Sequence, residues 1–249
     1  PRDIEPTERM SPVERSAGTR AGLLSRPAMR AALLVLAPTL LLIFLMQFLP
    51  QTDPDYWWHV RTGQYIYETG TIPKADIFSY TAAGQPWVAH EWLTELIFYL
   101  VQRQFGYAGN VVLFGFVSVA TWLIVYFTCR QRGIGELSAA MLMLWGYVMA
   151  VSSTNVRPQM LTTLLLAAVV LLLTRYKQGE LRALWPLPAL MALWVNLHGG
   201  YVIGLGLLGL TIVGEILARV LRRHGAPLAP LVAAALLAAA ATLLNPHGI

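Results

Sequence analysis

Charge is scarce in this sequence. Only 12% of its residues are Asp, Glu, Lys or Arg and 56% are apolar, against roughly a quarter charged in a soluble domain. That balance excludes an ordinary water-soluble globule. A single cysteine, Cys129, excludes an internal disulfide and says nothing of the redox compartment. No A-x-A-like cleavage site follows the first apolar run, so residues 31–49 read as an uncleaved signal-anchor. His90-Glu91 lacks the second histidine of H-E-x-x-H, which argues against a zinc protease. Polar groups at mid-membrane depth are few, which counts against a transporter.

What is present is a series of uncharged apolar runs, several of them near the length an α-helix needs to cross a bilayer. The expectation is an all-α, polytopic transmembrane helical bundle of seven spans: 31–49, 108–128, 137–151, 160–174, 184–195, 201–218 and 228–244. Residues 1–30 form a polar N-terminal tail, and 31–249 form the transmembrane domain. An external juxtamembrane loop covers 50–107 and contains amphipathic helices. One of them, 91–105, is too short in its apolar face to span and is expected to lie in the interface. The fifth span is short and reads as interrupted by Pro186 and Pro188, a feature that would fit the moving helices of a transporter. The sixth, with its leading turn, is rich in glycine (Gly199, Gly200, Gly204, Gly206, Gly209, Gly214), which suits close helix packing.

The basic residues orient the chain. With the N-terminus cytoplasmic, the inner segments hold Arg2, Arg9, Arg15, Arg20, Arg26, Arg30, Arg130, Arg132, Arg175, Lys177, Arg182, Arg219, Arg222 and Arg223. The outer segments hold only Arg61, Lys74, Arg103 and Arg157 of the 18. The alternation holds at every loop. The net charge of +5 is therefore mostly a topological signal, and no nucleic-acid partner is implied. The membrane expected is the cell (inner or plasma) membrane, multi-pass, with the polar outer loops on its periplasmic or extracellular face.

Those outer loops hold the residues with chemistry. Asp53-Pro54-Asp55-Tyr56-Trp57-Trp58-His59-Val60-Arg61 packs two carboxylates, an imidazole and a guanidinium into nine residues. A helix starting near Asp55 puts Asp55 and His59 on one face. That suits a carboxylate that accepts a proton or holds a metal, although one aspartate also serves as a helix cap. The tryptophans also fit an interfacial belt. His90-Glu91 with Glu95 is a second polar group and a candidate metal cluster, although without the second histidine of H-E-x-x-H. Arg157, before Pro158, either snorkels to the interface or grips a phosphate through paired N–H donors. Two outer turns, Asn196-Leu197-His198-Gly199-Gly200 and Asn245-Pro246-His247-Gly248, share an Asn, a spacer, a His and a Gly. They are either parts of one site or helix C-caps. Near the inner end of the sixth span, Glu215 is expected to pair with Arg219 one turn on.

In layout, this order of a first span, an acidic motif opening a large external loop, a helix along the membrane and then many spans resembles the GT-C superfamily of membrane glycosyltransferases. The run from Asp55 to Arg61, continuing through Gln64-Tyr65-Ile66 to Gly70, is similar to the first acidic motif of oligosaccharyltransferase catalytic subunits. Residues 84–93, with Pro86-Trp87 and His90-Glu91-Trp92-Leu93, take the place of the Lys-Pro-Pro-Leu-type segment in protein mannosyltransferase and aminoarabinose transferase relatives. The resemblance covers 31–130 in layout. It implies inverting transfer of a sugar from a polyprenyl-phosphate donor to an acceptor on the outer face. Asp55 is then the base, with Asp53 as partner or runner-up. Arg157, His198 and His247 contact phosphate, and His59, Arg61, His90, Glu91, Asn196 and Asn245 are further substrate contacts. Some superfamily members use a divalent metal; here Asp53, Asp55 and Glu91 are the hard oxygen ligands expected for Mg²⁺ or Mn²⁺.

Members of the superfamily have more spans and often an external C-terminal domain. With Pro1 at its start and Ile249 directly after an outer His-Gly turn, the chain is expected to be part of a longer protein. Two other classes stay open: a non-catalytic accessory subunit packed against other membrane subunits, and a transporter of a lipid-linked substrate.

Overall fold

The computed structural model describes residues 26–49, 54–221, 223 and 225–247. Asp53, Arg222, Gly248 and most of the expected N-terminal tail lie outside the described residues. Among those described, the chain forms eight α-helices and no strand: α1 (Arg26–Met46), α2 (Asp55–Thr69), α3 (Trp92–Gln131), α4 (Glu136–Ala150), α5 (Gln159–Lys177), α6 (Leu187–Leu197), α7 (Tyr201–Val220) and α8 (Leu228–Ala241). Short 3-10 turns occupy Val151–Ser153 and Leu181–Leu184. Three helices, α3, α5 and α7, are long and apolar enough to cross a membrane; α1, α4, α8 and the segment Leu181–Leu197 supply shorter apolar helices. Large apolar side chains stand exposed along the outside of the bundle, among them Leu34, Trp145, Leu210 and Leu236. A surface of that kind is tolerated by lipid and not by water.

The expected interfacial helix and the second span are two limbs of α3, bent at Gly106, where φ is 66° and ψ −168°. Only glycine adopts that conformation without strain. The limbs are pinned across the bend by Asn110, which is fully buried. Its Nδ2 donates to Phe98 O at 3.1 Å and to the Tyr56 hydroxyl at 2.8 Å, and that hydroxyl donates to Gln102 Oε1 at 2.7 Å. One amide thus joins α2 to both limbs of α3.

The fifth expected span begins differently from its pattern. Pro186 is the N-cap of α6 and Pro188 lies in its first turn. There a missing N–H costs nothing because those N–H groups have no helical partner. The prolines start this helix instead of interrupting it. The glycines of α7 also divide. A Cβ on Gly204 would press on the Trp194 ring at 2.6 Å, whereas Gly206, Gly209 and Gly214 have nothing within 4 Å. Only Gly204 of these serves close packing within the described residues.

Three apolar clusters fill the interior. One, around Trp194, Met191, Leu187 and Leu208, joins α5, α6, α7 and α8. A second, around Met143 and Tyr147, joins α1, α3 and α4. A third, around Tyr56, Phe98 and Phe114, seats α2 on α3. Polar bonds gather the helix ends into two groups. At one end, Lys177 Nζ stands 2.9 Å from Glu215 Oε1, Ala226 N–H donates to Glu215 Oε2 at 2.8 Å, and Arg132 reaches Thr174 Oγ1 at 3.3 Å. Arg219, the expected partner one turn on, also pairs with Glu215, 3.6 Å from its carboxylate, and donates to its carbonyl oxygen at 2.7 Å. The opposite end holds α2, the start of α3 and the C-terminal ends of α6 and α8.

Replacing Asn110 with alanine strips the bend of its cross-link and leaves buried polar atoms unpaired. The expected loss is about 1–3 kcal/mol, measured as a lowered thermal midpoint in detergent. An unchanged midpoint would mean the bend holds without the amide.

Candidate functional site

At that opposite end, α2 carries Asp55, His59, Thr62, Gly63 and Ile66 on neighbouring turns of one side. The helix closes at Gly70, a left-handed C-cap whose N–H returns to Ile66 O. Gly63 sets how close α2 comes to α3: a Cβ there would overlap the Glu95 carbonyl oxygen. This approach brings His59 Nδ1 to 3.2 Å from Glu95 Oε1 and 3.6 Å from Glu91 Oε2.

Glu91 and Glu95 are four residues apart at the head of α3, so their charges repel along one face. Histidines surround them. Glu91 Oε1 is 3.1 Å from His198 Nε2 and 3.4 Å from His90 Nε2. The tautomer of His198 follows from its neighbours. The Gly200 N–H can only donate, and it reaches His198 Nδ1 at 2.9 Å. Thr162 Oγ1, which receives the Trp194 Nε1 hydrogen at 2.9 Å, lies 2.7 Å from the same Nδ1. Nδ1 is therefore an acceptor, and Nε2 carries the hydrogen donated to Glu91. Burial lowers the pKa of His198, only partly offset by the Glu91 charge. His90, more exposed and hydrogen-bonded to Glu91, is raised. Burial alone would raise the Glu91 carboxyl; the His90 bond and the charges of His59, His198 and His90 outweigh it and hold it below its ordinary value.

A second pair lies nearer solvent. Arg157 Nη2 stands 3.1 Å from Asp55 Oδ2, joining residues 102 apart in the chain. Both side chains are reachable, Asp55 at 62% exposure and Arg157 at 30%.

The structure thus brings together His59, His90, Glu91 and His198 in one group and Asp55 with Arg157 in another. The remaining expected residues are placed otherwise. Arg61 is exposed and donates to Gln64 Oε1 at 2.7 Å along the outside of α2. Asn196 accepts from Trp92 Nε1 at 2.9 Å and donates to Ala192 O and Leu244 O at 2.7 and 2.8 Å. Asn245 donates to Val195 O at 2.9 Å and accepts from His247 N–H at 2.8 Å. His247 Nε2 is 3.2 Å from Ala89 O. These amides lash the ends of α6 and α8 to the head of α3. Asp53, expected as a catalytic partner and metal ligand, lies outside the described residues.

The expected set of Asp53, Asp55 and Glu91 includes Asp53, which lies outside the described residues; among the described residues a different group could hold a metal. His59, Glu91 and Glu95 each offer one ligand atom within 4.8 Å of the others. The histidine that completes the Glu91/Glu95 pair comes from α2 and not from the same helix, which is why the H-E-x-x-H template fails to find it. Thr162 and Thr94, which donates to Leu197 O at 2.6 Å, carry no signal in the sequence beyond a lone hydroxyl.

No protein-family model, curated protein or solved structure significantly matches the chain.

Two measurements check the site. In chelator-treated protein with labelled histidine, NMR is expected to show His90 protonating first as pH falls and His198 staying neutral to a lower pH than an ordinary imidazole. A raised pKa means the proton is held at higher pH, so the reverse order would contradict the network. Gly63→Ala is expected to lose about 1–3 kcal/mol through overpacking. Gly206→Ala, facing open space within its helix, is expected to lose none.

Proposed function

We propose that the chain is a membrane glycosyltransferase of GT-C type, or the catalytic part of one. It moves a sugar from a polyprenyl-phosphate donor to an acceptor hydroxyl, with inversion. Seven apolar helices cross the cell membrane in this reading: α1, the limb of α3 after Gly106, α4, α5, α6 with its preceding turn, α7 and α8. The end rich in Arg and Lys faces the cytoplasm. The site then opens on the far side, where nucleotide sugars are absent and a lipid-borne donor is the available one.

The observation that carries the reading is the pairing of Asp55 with Arg157. Transfer needs a base at the acceptor oxygen and positive charge at the leaving phosphate. Here a carboxylate and a guanidinium meet across 102 residues of chain. Asp55 takes the acceptor proton as the acceptor oxygen attacks the anomeric carbon. The bond from that carbon to the phosphate oxygen breaks on the opposite face. Arg157 offsets the charge left on the phosphate, and its planar fork of N–H donors suits that group. With Arg157 alongside, the positive charge needed at this point comes from the protein itself. An apolar cleft of about 490 Å³ between α3, α6 and the segment after α8, lined by Trp92, Leu193 and Leu244 among others, suits part of a prenyl chain.

Mass spectrometry of co-purified lipid tests this. Wild-type protein is expected to carry a polyprenyl-phosphate sugar that Arg157→Ala loses. Asp55→Asn is expected to keep the lipid while turnover falls by about 10²-fold or more. Bulk phospholipid alone in all three proteins would favour an accessory subunit.

A further inference from the structure

The group at His59, Glu91 and Glu95 is not used in sugar transfer at Asp55, and it is expensive to bury. The Glu95 side chain is only 3% exposed. Its Oε2 has no hydrogen-bond partner among the described residues. A second carboxylate, Glu91, lies one turn away. Two acids side by side, one with an unsatisfied buried oxygen, are a combination that a bound cation resolves.

We propose that His59 Nδ1, Glu91 Oε2 and Glu95 bind one divalent transition-metal ion, of the zinc class, at the junction of α2 and α3. The spacing suits it. His59 Nδ1 stands 3.2 Å from Glu95 Oε1 and 3.6 Å from Glu91 Oε2. Ligands about 2.0–2.1 Å from a tetrahedral zinc lie roughly 3.4 Å from one another. Small rotations of the side chains admit the ion and exchange the His59–Glu95 contact for two metal bonds. The donor set, one imidazole with two carboxylates, favours zinc-like ions over magnesium or calcium, which prefer oxygen alone.

The surroundings are arranged as an outer shell. The other oxygen of Glu91 is taken by the Nε2–H of His198, and His198 is itself locked by the Gly200 N–H and by Thr162. That chain orients Glu91 so that Oε2 is the ligand atom, which is how ligating carboxylates are held. His90, 57% exposed beside Glu91, marks the side on which an ion enters. Three protein ligands leave a coordination position for water or a substrate oxygen.

The test reads metal and not transfer, so it separates from the glycosyltransferase reading. The full chain in detergent is stripped with chelator and titrated with Co²⁺, with Zn²⁺ in competition. One equivalent per chain is expected, with visible Co²⁺ absorption that Zn²⁺ abolishes. X-ray absorption of the zinc-loaded wild-type protein is expected to show imidazole scattering and no sulfur. Glu95→Gln and His59→Ala are each expected to weaken binding roughly 100-fold or more, and His198→Ala about 10- to 100-fold. Asp55→Asn is expected to bind as wild type. Absence of saturable binding, absence of imidazole scattering, or loss of binding in Asp55→Asn with Glu95→Gln unaffected would each overturn the site. The first two readouts need only the wild-type protein, so a misfolded variant does not protect the proposal.

Discussion

The bend at Gly106 is the constraint on which the rest depends. The limb of α3 before it, capped by Glu91, carries Glu95, Gln102 and Arg103; the limb after it is almost purely apolar. A straight helix of 40 residues would drive the charged turns through lipid or leave the apolar ones outside it, and either is costly. The positive φ at Gly106 lets one chain serve both environments. It also turns the head of α3 across the ends of α6 and α8, so that Trp92, Thr94 and Ala89 meet the turns around Asn196 and His247.

Once α3 is bent, α2 has a seat. Tyr56 packs against Phe98 and shares the Asn110 amide, and Gly63 permits contact with the α3 backbone. The fit is tight at one point and polar at the next. That is why a histidine from α2 reaches two glutamates on α3 instead of facing solvent. The group is not a loose collection of charges. His198 is kept neutral by two donors on one nitrogen, while the same residue's other nitrogen serves Glu91. In a site of low dielectric such directional bonds hold geometry better than bare charge pairing.

The two Asn-x-His-Gly turns illustrate how one pattern takes two roles. Both asparagines spend their amides on main-chain groups and on Trp92, so they act as fasteners of helix ends. Their histidines diverge. His198 enters the carboxylate group, and His247 rests on the Ala89 carbonyl. The second turn thereby supports the first, by fixing the chain just before His90.

Helix positions were legible from the sequence because they rest on local properties: apolar run length, the i, i+4 spacing of Asp55 with His59 and of Glu91 with Glu95, and the distribution of Lys and Arg. The boundary between the polar limb and the apolar limb of α3 was legible too, since composition changes there. The prolines of α6 were misleading, because a proline reads alike as a break or as a start until the first helical residue is known. The sequence by itself determined that the chain is helical, suited to lipid, and rich in acids and histidines in the loops between its apolar runs. Only the tertiary structure decided that Asp55 meets Arg157 and that His59, not Asp55, joins Glu91 and Glu95. Those pairings depend on how closely helices approach. That is set by a missing side chain at Gly63, which no local pattern of charge or hydropathy encodes, and by the direction of the bend at Gly106, whose place the change of composition marks but whose angle it does not.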